Sequence, residues 1–188
     1  MRLATLRRME FLRDVSNLLG GTVAATVPLK GGVSARVTAL DLAMADGGTR
    51  RVVVREPGAA EWKGAAPSTA RREFDLLVHL HTAGLPVPRP LLLAADRPRP
   101  FFVMEFVEGT KDLPSDGPAR MASALARVHA LPLDGVPALP DREDPVAGLL
   151  EFLGPDHAEL RGRLAHQPAA LTPRRTLLHG DFWPGNIL

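Results

Sequence analysis

The chain has 188 residues, of which 45% are hydrophobic and 23% are charged, and its formal net charge at pH 7 is +2. These values are ordinary for a soluble globular protein of one or two domains, and no apolar run reaches the roughly 18 to 20 residues that a membrane-spanning helix needs. Cysteine is absent, which excludes disulfides, thiolate nucleophiles and cysteine-based zinc sites. The N-terminal sequence MRLATLRRMEFLRDVSNLLGG lacks the apolar core of a secretory signal, so we expect a cytoplasmic protein.

Basic residues occur singly or in pairs along the chain, and aromatic residues make up only 5% of it. A nucleic-acid-binding protein of this size usually shows a clustered basic stripe with aromatic side chains for stacking. We therefore expect neither a nucleic-acid nor a membrane partner. The oligomeric state is left open.

The first half of the chain predicts a helix followed by an antiparallel sheet. Apolar residues recur at near-helical spacing over residues 1–19, and Gly20-Gly21 ends that pattern. Runs rich in Val, Thr and Leu follow, and residues 30–32 separate the first two of them. A turn at residues 46–48 precedes the third, and its glycines accept the positive φ of tight hairpins. These runs predict a three-stranded meander with strands at Thr22–Leu29, Ala35–Met44 and Arg51–Arg55.

Beyond the meander, the pattern changes from sheet to helix near residue 105. Ser68 is placed to cap a helix that runs to about Thr82 and stops at Gly84. Two further strands are predicted at Leu91–Ala95 and Phe101–Val107, the second of them buried on both faces. Helices are then predicted at residues 118–130, with Asp116 as the cap, and at residues 146–153 and 157–165. The whole pattern is that of an α+β protein.

Residues 179–186 read His-Gly-Asp-Phe-Trp-Pro-Gly-Asn. His-x-Asp-x-x-x-x-Asn is the pattern of a kinase catalytic loop, in which the Asp accepts the proton of the substrate hydroxyl and the Asn binds magnesium. The apolar pairs Leu177-Leu178 and Ile187-Leu188 flank it, so we expect a loop between two short buried strands. An ordinary polar turn is the alternative, but this combination of residues at fixed spacing rarely arises by chance.

At these residues the chain resembles the aminoglycoside phosphotransferase and choline kinase-like family, relatives of the protein kinases. The resemblance implies a protein-kinase-like two-lobe fold. In it, residues 1–104 form a nucleotide-binding lobe with an N-terminal helix and an antiparallel sheet, residues 105–109 form the inter-lobe linker, and residues 110–188 form an incomplete, mainly helical C-lobe. It also implies ATP and Mg²⁺ as cofactors, and transfer of the γ-phosphoryl group of ATP to a hydroxyl of a small molecule.

The resemblance also implies roles for single residues. Asp181 takes the place of the catalytic Asp and Asn186 that of the metal ligand. The backbone from Glu105 to Val107 matches the part of the linker that hydrogen-bonds the purine ring. Three small residues between the first two strands stand where backbone N–H groups can approach phosphates, although a plain glycine turn would look the same; they are Gly31, Gly32 and Ser34.

Arg55 and Glu73 are expected to form an ion pair. Arg55 ends the third predicted strand, where the kinase pattern has a phosphate-binding lysine, and a guanidinium can bind phosphate oxygens with two hydrogen bonds. Glu73 borders the apolar face of the predicted helix, and a carboxylate drawn toward a core needs a cation. The alternatives are a solvated arginine, and a glutamate paired with an arginine on its own helix.

The kinase pattern places a second magnesium-binding carboxylate on the strand after the catalytic loop, and the sequence given ends two residues after Asn186. Two interpretations are open: a piece of a longer phosphotransferase, or a truncated, non-catalytic nucleotide-binding or interaction module. We favour the first, because every other part is present in order. We expect the 188-residue chain by itself to be a poor catalyst.

Overall fold

The computed structural model describes residues 2–29, 35–58, 69–109, 114–139, 157–165, 175–180 and 182. Within these ranges the chain forms four helices and five strands. In chain order they are α1 (Arg2–Leu19), β1 (Gly21–Leu29), β2 (Ala35–Met44), β3 (Thr49–Pro57), α2 (Thr69–Thr82), β4 (Pro90–Ala94), β5 (Phe101–Glu105), α3 (Gly117–His129) and α4 (Ala158–Ala165).

The five strands form one antiparallel sheet in the order β1-β2-β3-β5-β4. The predicted meander is present, and β3 joins it to the later hairpin of β4 and β5, with Val53 opposite both Ala39 and Met104. The turn between β2 and β3 is closed by the N–H of Gly48, which donates to Asp46 Oδ1 at 2.9 Å. Gly47 in the same turn has a φ of 83°, which glycine adopts without strain. The α+β prediction is confirmed.

The two faces of the sheet carry different residues because side chains alternate along a strand. One face forms the hydrophobic core beneath α1, where Val15 packs with residues of β2, β3 and β5 that are fully or nearly fully buried. Those strand residues are Leu40, Leu42, Val52, Val54, Phe101 and Val103. The opposite face carries Ala39, Val53 and Phe102, and Phe102 contacts Phe74 of α2 with ring centroids 6.0 Å apart. We call this opposite face the α2 face.

The last turn of α3 contacts two distant segments of the chain. Arg127 donates from Nη2 to the carbonyl oxygen of Gly84, just after α2, at 2.7 Å. Thr176 donates from its hydroxyl to the carbonyl oxygen of His129 at 2.7 Å. The end of α2 and the segment leading to His179 are therefore both held by the same turn of helix.

Three local expectations are corrected. Asp116 lies at the N-cap position of α3 but makes no capping hydrogen bond with its side chain; Pro118, whose φ is already fixed near the helical value, supports the helix start instead. β5 ends at Glu105, two residues before the predicted Val107. Residues 175–179, where a short buried strand was predicted, have no regular secondary structure, and of Leu177 and Leu178 only Leu177 is buried. This segment is held by the hydrogen bond from Thr176 to α3 and not by pairing with a strand.

The predicted helix at residues 146–153, the predicted cap Ser68 and the predicted strand at residues 187–188 lie outside the described residues. Among the helices of the described ranges, none combines the length and the apolar character needed to cross a bilayer.

Candidate active site

Arg55 and Glu73 form a two-pronged ion pair between β3 and α2. Arg55 Nε donates to Glu73 Oε2 at 2.8 Å, and Nη2 donates to Oε1 at 2.5 Å. Their side chains are only 23% and 31% exposed, respectively. The structure thus contains the contact that the sequence predicted, while its role toward a nucleotide stays a prediction.

Neighbouring contacts explain why Glu73 takes this partner. Arg55 pairs in register with Phe102 of β5, and Phe74, the residue after Glu73, packs edge-on against that same ring. This aromatic contact fixes the face of α2 that looks toward the sheet. Glu73 thus pairs with Arg55 of β3 and not with an arginine of its own helix, and Arg71 of that helix lies 3.8 Å from Asp75.

The linker after β5 has one backbone donor already engaged. The N–H of Glu105 donates to the carbonyl oxygen of Arg89 at 2.9 Å, and the Glu105 carboxylate lies 3.9 Å from Arg89 Nε. The predicted purine-binding segment begins at Glu105, and the backbone N–H of this residue is therefore already in a hydrogen bond within the protein. Val107 lies in the exposed part of the linker.

A second two-pronged pair lies on the α2 face, and the sequence reasoning missed it. Arg51 donates from Nε to Asp41 Oδ1 at 2.5 Å and from Nη2 to Oδ2 at 2.9 Å. The guanidinium carbon of Arg51 also lies 5.2 Å from the ring centroid of Phe106 in the linker. The hairpin turn at residues 46–48 could have predicted this pair, because the strand register that the turn sets places Asp41 opposite Arg51.

The HGDFWPGN segment is described at three positions. Gly180 has a φ of 82°, a left-handed conformation that favours glycine, and the rings of His179 and Phe182 lie 5.1 Å apart, nearly perpendicular. The chain therefore turns at Gly180. The predicted catalytic Asp181, the predicted metal ligand Asn186, and the loop residues Gly31, Gly32 and Ser34 lie outside the described residues.

Over the ranges that the structure describes, no three side chains of the types His, Asp and Glu are grouped so that they could hold a metal ion. The magnesium site predicted from the sequence rests on Asn186 and is not built from the described residues.

The sequence from residue 26 to residue 188 matches the phosphotransferase enzyme family. The chain belongs to this family, which confirms the resemblance found at HGDFWPGN. No match to a curated protein was found.

Solved structures with a similar fold include an aminoglycoside phosphotransferase from Streptomyces rimosus, at 24% identity and a TM-score of 0.46, over 84% of this chain and 60% of that one. The same enzyme in complex with ADP and streptomycin matches at 24% identity and a TM-score of 0.47, over 82% of this chain and 60% of that one. A protein from Thermobifida fusca, proposed to be a fructosamine-3-kinase, matches at 19% identity and a TM-score of 0.41, over 84% of this chain and 62% of that one. The chain thus spans about three fifths of the length of these proteins.

Proposed function

We propose that the protein to which this chain belongs transfers the γ-phosphoryl group of ATP to a hydroxyl group of a small molecule. The observation that carries the proposal is the Arg55–Glu73 ion pair, found on the face of the sheet opposite α1 in a member of the phosphotransferase enzyme family. A strand arginine and a helix carboxylate in this arrangement correspond to the Lys–Glu pair that kinases need in place for phosphoryl transfer.

The geometry of the pair suits an arginine that binds phosphate. A guanidinium has five N–H donors in one plane, and Glu73 takes hydrogen bonds from two of its nitrogens, which fixes the orientation of that plane. The guanidinium keeps its charge at any physiological pH. Arg55 therefore presents a fixed positive charge to the α- and β-phosphates of ATP, and Glu73 acts by holding it.

The other parts of the nucleotide site follow from the family resemblance. The backbone N–H groups of the loop that contains Gly31, Gly32 and Ser34 bind phosphate oxygens. The linker binds the purine ring, with the N–H of Val107 as a donor and the carbonyl of Glu105 as an acceptor, since the Glu105 N–H is engaged with Arg89.

The chemical step is assigned to Asp181. Its carboxylate accepts the proton of the acceptor hydroxyl while that oxygen forms a bond to the γ-phosphorus, and the bond from the γ-phosphorus to the β–γ bridging oxygen breaks to release ADP. Asn186 supplies an amide oxygen, a ligand type that suits Mg²⁺. When bound, the ion neutralises the charge of the phosphate oxygens.

The test compares Asp181→Asn with the wild type in the full-length product of the reading frame that contains these 188 residues. Loss of the general base is expected to lower kcat for ADP release by about 10²- to 10⁴-fold and to leave the Kd for MgATP nearly unchanged. Asp134→Asn, the same chemical change at an exposed position in the loop after α3, is the matched control. Near-normal turnover by Asp181→Asn would remove Asp181 from the mechanism. MgATP binding without any turnover by the wild type would favour a non-catalytic nucleotide-binding module.

A further inference from the structure

Three side chains meet where the sheet passes into the linker. Asp41 on β2 and Arg51 on β3 are register partners, and Arg51 grips the Asp41 carboxylate with two hydrogen bonds of 2.5 and 2.9 Å. The guanidinium carbon of Arg51 lies 5.2 Å from the centroid of the Phe106 ring. We call this arrangement the Asp41–Arg51–Phe106 stack.

The stack lies on the same face of the sheet as the Arg55–Glu73 pair. Arg51 is four residues before Arg55 on β3, so the two side chains point to the same side. Asp41 is two residues after Ala39, which is opposite Val53 on that face. Phe106 follows Met104, also opposite Val53, by two residues, and immediately precedes Val107, whose backbone the proposed function places against the purine.

The Arg51–Asp41 contact is closer than another surface ion pair of similar exposure. The Arg51–Asp41 and Arg97–Asp14 pairs are similarly exposed, at 47%/31% and 44%/31%, yet the closest nitrogen–oxygen distance in the second pair is 3.4 Å. The hydrogen bond from Arg51 lowers the pKa of Asp41, and the same bond raises the pKa of Arg51. A two-pronged arginine–carboxylate pair is the geometry in which an exposed ion pair fixes its side chains, so Asp41 holds the Arg51 guanidinium beside the Phe106 ring.

We propose that Arg51, held by Asp41, is a positioning residue that fixes the Phe106 ring and thereby holds the linker backbone in the conformation that binds the purine. This inference rests on the proposed nucleotide-binding function. Arg51 and Asp41 act without touching the nucleotide. They reduce the conformational freedom that the linker loses on binding, which is a common way in which ordered loops gain affinity.

Positioning of the linker by Arg51 predicts an effect that depends on the purine. A ligand that has phosphates but no base, such as Mg-tripolyphosphate, binds the phosphate-binding residues alone and gains nothing from an ordered linker. MgADP gains from both. The ratio of the two dissociation constants therefore reports on the linker, whereas damage to the fold as a whole would weaken both ligands together.

The experiment measures both dissociation constants by calorimetry in the full-length protein, for the wild type, Arg51→Met and Phe106→Leu. Loss of the cation–π contact is expected to raise the Kd for MgADP about two- to fivefold in each variant and to leave the Kd for Mg-tripolyphosphate unchanged. The double variant should bind MgADP no more weakly than the weaker single variant, because both changes remove one shared contact. Phe106→Tyr, which keeps the ring, should bind like the wild type.

Arg97→Met is the matched control, since it removes an ion pair of similar exposure that joins α1 to the turn between β4 and β5; it should change neither constant. Arg51→Lys, which keeps the charge and loses the planar fork, serves as a second variant should Arg51→Met fold poorly, and is expected to weaken MgADP binding selectively. If the wild type, Arg51→Met and Phe106→Leu bind MgADP with equal affinity, the inference is overturned and the proposed function stands. The same holds if the variants lose affinity for MgADP and for Mg-tripolyphosphate by equal factors. Failure of the wild type to bind MgADP refutes the inference and the proposed function together.

Discussion

Replacing Glu73 with glutamine tests the contact on which the proposed phosphate site depends. The change keeps the size and shape of the side chain and removes its charge. In the wild type, Arg55 donates to both carboxylate oxygens of Glu73, at 2.8 and 2.5 Å, and both side chains lie largely out of solvent. A glutamine offers one acceptor oxygen and turns an NH₂ group toward a donor, so one of the two hydrogen bonds is lost.

The expected cost follows from the strength of hydrogen bonds to charged groups, which contribute about 1.5–3 kcal/mol each in net terms. Because both side chains retain some solvent contact, we expect Glu73→Gln to lower the free energy of unfolding by an amount near the bottom of that range, about 1.5 kcal/mol. If Glu73 also holds Arg55 at the phosphates, the Kd for MgADP rises about tenfold, which corresponds to about 1.4 kcal/mol.

Urea unfolding and calorimetry of the same preparations measure the two effects. The matched control is Asp75→Asn on the same helix, whose partner Arg71 is 3.8 Å away and well exposed; an i,i+4 pair of this kind contributes only about 0.2–0.5 kcal/mol. If Glu73→Gln destabilises the protein no more than Asp75→Asn does, the Arg55–Glu73 pair contributes no more to stability than a surface contact, which contradicts the prediction. If stability falls and the Kd for MgADP stays the same, Glu73 does not place Arg55 for the nucleotide.

Two further predictions concern stability. Burial raises the pKa of Glu56 above its ordinary value of 4.5, although Arg36 and Arg99 act in the opposite direction. The folded state thus binds the Glu56 proton more tightly than the unfolded state, so the stability that this group contributes is present below the ordinary pKa and is lost as pH rises through the folded-state pKa. Urea unfolding across that pH range should show the wild type losing stability relative to Glu56→Gln. A stability difference that does not change with pH would contradict this prediction. Thr176→Val removes the hydrogen bond to the carbonyl of His129 and should lower the free energy of unfolding by about 1 kcal/mol, whereas Thr176→Ser should retain most of it; equal losses in urea unfolding would show that the hydroxyl is not the cause.

The parts of the fold that the sequence predicted are those set by local chemistry. The turn at residues 46–48 carries its own signal in an Asp followed by two glycines, and it fixes the register of β2 against β3. Gly84 ends α2 with a φ of 74°, as expected of a glycine at a helix terminus. The Arg55–Glu73 contact also followed, because the end of a strand and the apolar edge of a helix each restrict where a charged side chain can go.

The parts that the sequence did not predict depend on contacts between distant segments. An Asp at an N-cap is favoured by its chemistry, but whether the carboxylate reaches a backbone N–H depends on the entry of the chain, and at Asp116 it does not. The occupied N–H of Glu105 depends on where Arg89 lies. The Arg51–Phe106 contact joins residues far apart in sequence through the path of the linker, which periodicity does not encode.

The final turn of α3 is bonded to the segments that carry both parts of the candidate site. Arg127 donates a hydrogen bond to the carbonyl of Gly84, just after α2, the helix that carries Glu73. The carbonyl of His129 accepts a hydrogen bond from Thr176, in the segment that precedes HGDFWPGN. A rotation of α2 large enough to separate Glu73 from Arg55 would stretch the hydrogen bond between Arg127 and Gly84. It would therefore also pull on the turn of α3 that is bonded to Thr176. The segments that carry Glu73 and His179 would then be displaced together.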